Sequence, residues 1–492
     1  MLFSSLIFIY VFLFALIICY FLFARRNNTA RLIVLTVFSL IFYAFGEPVY
    51  VFLMIGVVLV NYIFGFLCAS DGEPGKKQKL FLALAIVLNL GCLGFFKYTN
   101  FFITNINAVA GTDVALIKVV MPIGISFFTF QAMSYVIDVY RGVSQVQRSF
   151  LKLLMYVSFF PQLIAGPIVR YQDIEDQLQN QVITAEHIND GIFRFALGAA
   201  KKVVIADTCY YASEGLFNAD GGPFVLAYWA GVLFCFLQIY FDFSGYSDMA
   251  IGLGKIFGFD FPENFDYPYA STSIAEFWRR WHISLGTWFK DYLFYPVLKS
   301  RAWRSMTKKM TKSGHKKLAK YFPTILASFI VWLATGFWHG ANWNFIIWGL
   351  WYWLFQALEL LFLDKLFAKL PKVLYQIAAR IYFFAVVLIG TAIFFFENNT
   401  FTRIGYLFGA GTSGFTNIFA NATLLGNSVL MVVAFVLCFP IIPWLYGKAR
   451  AKFHIGADAD RIIKTVAAVA MLTVATVRMV GNTYSPFLYF RF

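Results

Sequence analysis

Apolar stretches about as long as a bilayer is thick recur about a dozen times along this chain. That recurrence sets most of what the chain can fold into. A bilayer core holds no water to satisfy backbone N–H and C=O groups, so a spanning segment must bond to itself as a helix or close into a barrel. A helix needs roughly 17–25 apolar residues to cross. The stretches that approach this are 3–23, 32–45, 49–68, 80–96, 116–137, 151–169, 224–241, 321–338, 345–363, 377–396, 427–445 and 465–480. Only 13% of residues are charged, against about 25% in a soluble domain. The expected fold class is an all-α polytopic membrane protein with about 11–12 transmembrane helices.

The cations are placed as topology signals. Forty Lys and Arg face 25 Asp and Glu, a net charge of +15. They cluster in short segments between apolar spans, which is the positive-inside pattern. Arg25, Arg26 and Arg31, then Lys76, Lys77 and Lys79, then Arg141, Arg148 and Lys152 mark cytoplasmic loops. Residues 299–320 carry nine cations and no acid, and Lys448, Arg450 and Lys452 mark the last such loop. This parity places both termini outside. No nucleic-acid motif accompanies the cations, and no nucleic-acid partner is expected. The first 23 residues lack a basic lead and a small-residue cleavage site, so a retained helix is expected there. The six cysteines sit mostly in apolar runs without metal spacing and read as small hydrophobes. Segment 184–296 is less continuously apolar and reads as interfacial or re-entrant helices lining a cavity. No linker divides the chain. We expect one membrane domain, 1–492, with N-terminal helices in 1–183, a core in 184–363 and further helices in 364–492.

Against this background, ionisable side chains at membrane depth stand out, because they are costly and functional by default. His339 lies in Thr335-Gly336-Phe337-Trp338-His339-Gly340-Ala341-Asn342-Trp343, between two apolar stretches. A histidine can move a proton near neutral pH. Residues 276–292, drawn as one helix of 3.6 residues per turn, separate a charged arc from an aromatic one. His282 falls among the aromatics, where it needs a polar partner. His187, His315 and His454 lie in polar stretches and read as solvated. Asp242 and Asp248 flank Phe243-Ser244-Gly245-Tyr246-Ser247 and suggest a polar turn inside the cavity. Too few oxygen ligands are present for Ca²⁺ or Mg²⁺, and the histidine spacing is not that of zinc, so no metal site is expected. Walker, dinucleotide-binding and GxSxG motifs are absent, which argues against nucleotide hydrolysis and serine-hydrolase chemistry.

Five ordered motifs then carry a resemblance. They are Met121-Pro122-Ile123-Gly124-Ile125-Ser126-Phe127-Phe128-Thr129-Phe130-Gln131, Phe160-Pro161-Gln162-Leu163-Ile164-Ala165-Gly166-Pro167-Ile168, Phe241-Asp242-Phe243-Ser244-Gly245-Tyr246-Ser247-Asp248, the stretch 264–293, and the His339 segment. Together they resemble the membrane-bound O-acyltransferase (MBOAT) superfamily, in its AlgI-like branch of alginate and cell-envelope polysaccharide O-acetylation. One departure is that Tyr295-Pro296-Val297-Leu298-Lys299 leads into a basic segment where relatives often carry a Gly-rich loop.

The resemblance implies a helical bundle around a central tunnel, with His339 catalytic and His282 the second active-site histidine. Asn342, Trp338, Asp242 and Ser244 would support them. His339 would act as general base on the attacking hydroxyl, worth roughly 10²–10⁴-fold. His282 would orient the reaction or stabilise the developing oxyanion. The Gly336-x-x-x-Gly340 spacing would let a neighbouring helix approach. No bound cofactor is implied, and the acyl donor would be acetyl-CoA or an acyl carrier thioester. The end of the chain, Pro486-Phe487-Leu488-Tyr489-Phe490-Arg491-Phe492, is similar to a terminal motif of this branch and makes Tyr489 a candidate acyl acceptor. Expected partners are the thioester donor, membrane lipids, a periplasmic or extracellular SGNH-type acetyltransferase and a polysaccharide synthesis complex. The expected location is a bacterial inner membrane, crossed many times. The competing reading is a non-catalytic acyl-group or polysaccharide transporter or channel.

Overall fold

The structure is a computed structural model. It describes the chain except residues 24–26, 71, 219–220 and 482–492, and except the side chains of Phe23 and Lys317. Its longer helices, in chain order, are α1 (Phe8–Leu22), α2 (Asn28–Ala44), α3 (Tyr50–Cys68), α4 (Lys76–Ala110), α5 (Ile125–Tyr140) and α6 (Phe150–Ser158). Next come α7 (Ala185–Ala200), α8 (Asp207–Phe217) and α9 (Val225–Ile256), then two short helices, α10 (Ile274–Arg280) and α11 (Ile283–Phe289). They are followed by α12 (Arg301–Lys312), α13 (Lys316–His339), α14 (Trp343–Leu358) and α15 (Lys372–Phe395). The last four are α16 (Ile418–Gly426), α17 (Ser428–Leu437), α18 (Ile441–Lys452) and α19 (Ala457–Gly481).

Seven helices among the described residues are long and apolar enough to cross a membrane, or eight if α16 and α17, bent by 52°, count as one span. The class is therefore the expected one, an all-α polytopic membrane protein. Fewer stretches are clean spans than hydropathy suggests, and burial explains the difference. Residues 116–137 and 151–169 do not form long helices. Segment 111–124 is not helical, and α6 stops at Ser158. Every residue of α5 from Ile125 to Val139 is buried. A helix apolar all round can be enclosed by protein as readily as by lipid. In α4 and α19, by contrast, only 17% and 11% of the apolar window is buried, and their bare Leu and Val side chains suit a lipid face. Residues 299–320 are not a loop either. Ser300 caps α12 by accepting from Trp303 N, and five of the nine basic residues, Arg301, Arg304, Lys308, Lys309 and Lys312, ride on that exposed helix.

The chain divides into two compact units. Among the described residues, one comprises Met1–Val203, Phe243–Glu263 and Ala457–Gly481; the other comprises Val204–Asp242 and Asn264–Gly456. In the first unit, Gly124 turns the chain into α5 at φ +77°, and a Cβ there would lie 2.7 Å from the Leu163 carbonyl oxygen. Glu47 accepts from Ile123 N, and Tyr43 donates to Ile123 O at 2.9 Å, so the Pro-Ile-Gly turn is held on both sides. Helix α7 lies against the second part of α9 backbone to backbone, through Gly191 on Gly252 and Gly198 on Gly245. There Asp248 receives Arg194 and Lys201, each at 2.6 Å, and Arg194 also grips Glu263. The expected polar turn at 242–248 is instead unbroken helix, because Asp248 has these two cations as partners and needs no turn. In the second unit α13, α14 and α15 pack in series and carry most of the candidate site.

Candidate active site

His339 is the last residue of α13. The chain then extends through Gly340 and turns into α14, so the histidine sits at a corner, 4% exposed. The corner is tight by necessity. A Cβ on Gly336 would strike the Phe345 carbonyl and the Ile346 Cα, and one on Gly349 would strike the Trp332 carbonyl and Gly336. The close helix approach expected for Gly336 is thus realised with Gly349 as its counterpart. Gly340 plays another part: it lies beyond the helix, with the Phe345 ring against the place a side chain would take.

Three aromatic rings stand perpendicular to the His339 imidazole. Trp348 is 4.8 Å away, Trp338 5.0 Å and Phe394 5.5 Å, centroid to centroid. Phe394 also touches Phe345 and Trp348, at 5.2 and 5.3 Å. Its backbone is pinned by the buried Asn344, whose Nδ2 donates to the carbonyls of Ile393 and Phe394. Trp278 of α10 meets Trp332, Trp348 and Tyr352 edge to face, so aromatic packing ties α10 to the same wall.

His282 reaches this wall from an unexpected element. The helix drawn across 276–292 does not exist: it breaks between α10 and α11, and His282 occupies the break in the left-handed region, φ 45° and ψ 51°. A distant segment explains the break. Residues 264–266 run antiparallel to 280–283, with Asp266 N donating to Arg280 O at 2.9 Å and Ile283 N to Asn264 O at 3.0 Å. The Asn264 Oδ1 then accepts from Ser284 N at 3.2 Å and Ser284 Oγ at 2.9 Å. These bonds satisfy backbone groups that a continuous helix would have satisfied internally. His282 is 1% exposed, and its ring lies 5.9 Å from that of Trp338. Trp338 therefore touches both histidines.

Asn264 Oδ1 also lies 3.1 Å from His282 Nδ1. An amide oxygen cannot donate, and reversing the amide would turn its NH₂ on the Ser284 N–H. Nδ1 therefore carries the proton, and in the neutral ring Nε2 carries the lone pair. Burial pushes the imidazole down to about 3, so the neutral form prevails.

The remaining candidates are dispersed. Asn342 precedes α14 and points its amide at the Glu397 carbonyl, 3.5 Å away. Asp242 and Ser244 are buried within α9. Tyr489 lies outside the described residues. Three positions escaped the sequence reading: Asn264, Asn344 and Glu359. Glu359 accepts from Ile274 N, Ala275 N and Tyr382 OH and so anchors the start of α10, beside a cavity of about 320 Å³ that Asp364 and Tyr375 also line. An acid at 359 inside an apolar run was the one available signal for it.

Two buried histidines share an aromatic enclosure in a polytopic helical protein, and an imidazole is a group that can move a proton near neutral pH. The comparisons give the chain its family. Residues 143–396, more than half of the chain, match the membrane-bound O-acyltransferase family. The probable alginate O-acetylase AlgI of Pseudomonas putida is 38% identical over the whole of both chains. A peptidoglycan O-acetyltransferase of Helicobacter pylori is 37% identical over 71% of this chain and 68% of its own. A teichoic acid D-alanyltransferase of Bacillus subtilis is 30% identical over 47% of this chain and 56% of its own. The chain belongs to the membrane-bound O-acyltransferase family and is a membrane acyltransferase. His282, His339, Asn264 and the aromatic wall all fall inside the matched span.

Proposed function

We propose that the chain transfers an acetyl group from a cytoplasmic thioester to an exported cell-envelope or extracellular polysaccharide, from a bacterial cytoplasmic membrane. The observation that carries this is the pair of buried histidines joined through Trp338. The names of the relatives, alginate O-acetylase and peptidoglycan O-acetyltransferase, supply the substrate class. In the reaction a hydroxyl oxygen attacks the thioester carbonyl. A C–O bond forms, the C–S bond breaks, the hydroxyl proton passes to a histidine, and the leaving sulfur takes a proton to become a thiol. His339 is the proposed general base, and no resident cofactor is required.

Geometry favours a small acyl group. A base nitrogen sits about 3 Å from the hydroxyl oxygen, and that oxygen about 3–3.5 Å from the carbonyl carbon. The rings of Trp348, Trp338 and Phe394 crowd His339 at 4.8–5.5 Å, and such crowding favours a short acyl group over a long chain. Acetyl-CoA or an acetylated carrier protein would fit the donor role, with the cations of α12 as an electrostatic guide. An SGNH-type acetyltransferase outside the membrane and a polysaccharide synthase are the proposed partners. On sequence alone, Tyr489 is the proposed acyl relay to them; an acyl adduct in the intact mass of trapped protein, lost in Tyr489→Phe, tests it. A transporter without chemistry leaves the two histidines unused and is not favoured.

Membranes carrying the full chain should release thiol from acetyl-CoA or from an acetylated carrier protein in the presence of glycan, and His339→Ala should abolish it. Undiminished release by His339→Ala would refute the assignment of the base.

A further inference from the structure

We propose that Asn264 is a positioning residue that locks His282 as the Nδ1–H tautomer, so that Nε2 serves as an acceptor for the hydroxyl to be acylated. This rests on the reading of His282 as an active-site group. Three observations carry it. Asn264 is 0% exposed, so its amide is held away from bulk solvent. Its oxygen is already committed to Ser284 N and Ser284 Oγ, which fixes which end of the amide faces His282. Its own carbonyl holds Ile283 N, so the segment that presents the amide is the one that stabilises the left-handed corner at His282.

The consequence concerns the division of labour. A neutral Nε2 can accept a proton but cannot donate one, so His282 cannot stabilise an oxyanion through that atom. Orienting the hydroxyl, and taking its proton or handing it on toward His339, is what remains. The carboxylates, cations and histidine near His282 on the elements around it are Glu276, Arg279 and Arg280 of α10, Asp266 of the antiparallel segment, His339 of α13 and Asp242 of α9, whose Tyr240 packs on Phe265 and Trp281. Arg280 is paired to Glu276 at 3.0 Å and to Asp266 at 3.4 Å, and α11 carries no titratable group.

The decisive measurement does not depend on activity. Nitrogen-15 histidine NMR of the full chain in detergent reports each ring's tautomer, and single substitution of the other four histidines assigns His282 by elimination. We expect Nδ1 protonated and Nε2 bare; a protonated Nε2 with bare Nδ1 overturns the proposal. Turnover gives the second readout, with acetyl-CoA and acetylated carrier protein each tried as the donor probe. Asn264→Leu should lower kcat by about 100-fold with donor KM unchanged. Asn264→Asp keeps an acceptor on Nδ1 and should recover much of that turnover. Its carboxylate makes His282 more basic, so the acid limb of the kcat profile should move to higher pH. Wild-type turnover in Asn264→Leu, or an unmoved acid limb in Asn264→Asp, also overturns it. A chain that shows the expected tautomer but no thiol release would instead count against the acyltransferase reading.

Discussion

Asp248 and His282 are both buried ionisable residues, one in each unit, and their surroundings are opposite. Around Asp248 two cations close to 2.6 Å, and with Glu263 on Arg194 the cluster balances two positive charges against two negative ones. Around His282 an amide oxygen and an aromatic wall leave the ring neutral. Removing one partner of a buried pair leaves an uncompensated charge, so the first arrangement locks a packing interface. The second leaves a neutral imidazole, which suits the proton-acceptor role proposed for it. Burial depth alone would have ranked the two alike; the neighbours separate an ion cluster from a neutral ring.

Four measurements press on this contrast. The largest expected effect is at the chemical site: His339→Ala should lower acyl transfer by roughly 10²–10⁴-fold while its detergent melting temperature stays near wild type. Next comes the opposite outcome for the ion cluster. Asp248→Asn should cost about 3 kcal/mol of stability and leave turnover per folded molecule unchanged. Equal damage to turnover at Asp248 would erase the distinction between the two sites. Smaller still, Trp348→Ala should loosen the shell around His339. Discrimination against propionyl and butyryl donors relative to acetyl should then fall by about tenfold, read from thiol release with each thioester.

The smallest effect is in pH. His282 titrates near 6.5 when unfolded and at about 3 when folded. Above pH 6.5 it is neutral in both states and adds no pH dependence. As pH falls from 6.5 toward 3 the unfolded chain takes up a proton that the folded chain refuses, so stability declines across that window. His282→Gln should flatten that part of a melting-temperature profile; an unchanged slope would mean the ring is solvated.

The two histidines were legible in the sequence because an ionisable residue among apolar ones is conspicuous. Hydropathy marks apolar surroundings without saying what provides them, so α5 looked like a lipid-crossing span although protein encloses it. The break at His282 was invisible for a different reason. No Gly or Pro marks it, and what opens the helix is a long-range pairing to residues 264–266. Asn264 was hidden with it, since an asparagine in a loop carries no signal until its partner 18 positions away is known. Asn344 likewise acquires meaning only from the carbonyls of Ile393 and Phe394.

The glycine contact between α13 and α14 bears on how such a chain can change over generations. With Gly336 and Gly349 touching main chain to main chain, even a methyl group at either position must push the helices apart. His339 is one turn from Gly336, so the displacement would reach the imidazole almost undiminished. Side chains on the lipid faces of α4 and α19 can drift without notice. Here two positions that carry no functional group behave as hereditary fixed points, and a saturation mutagenesis screen should find them as intolerant as the histidine they hold in place.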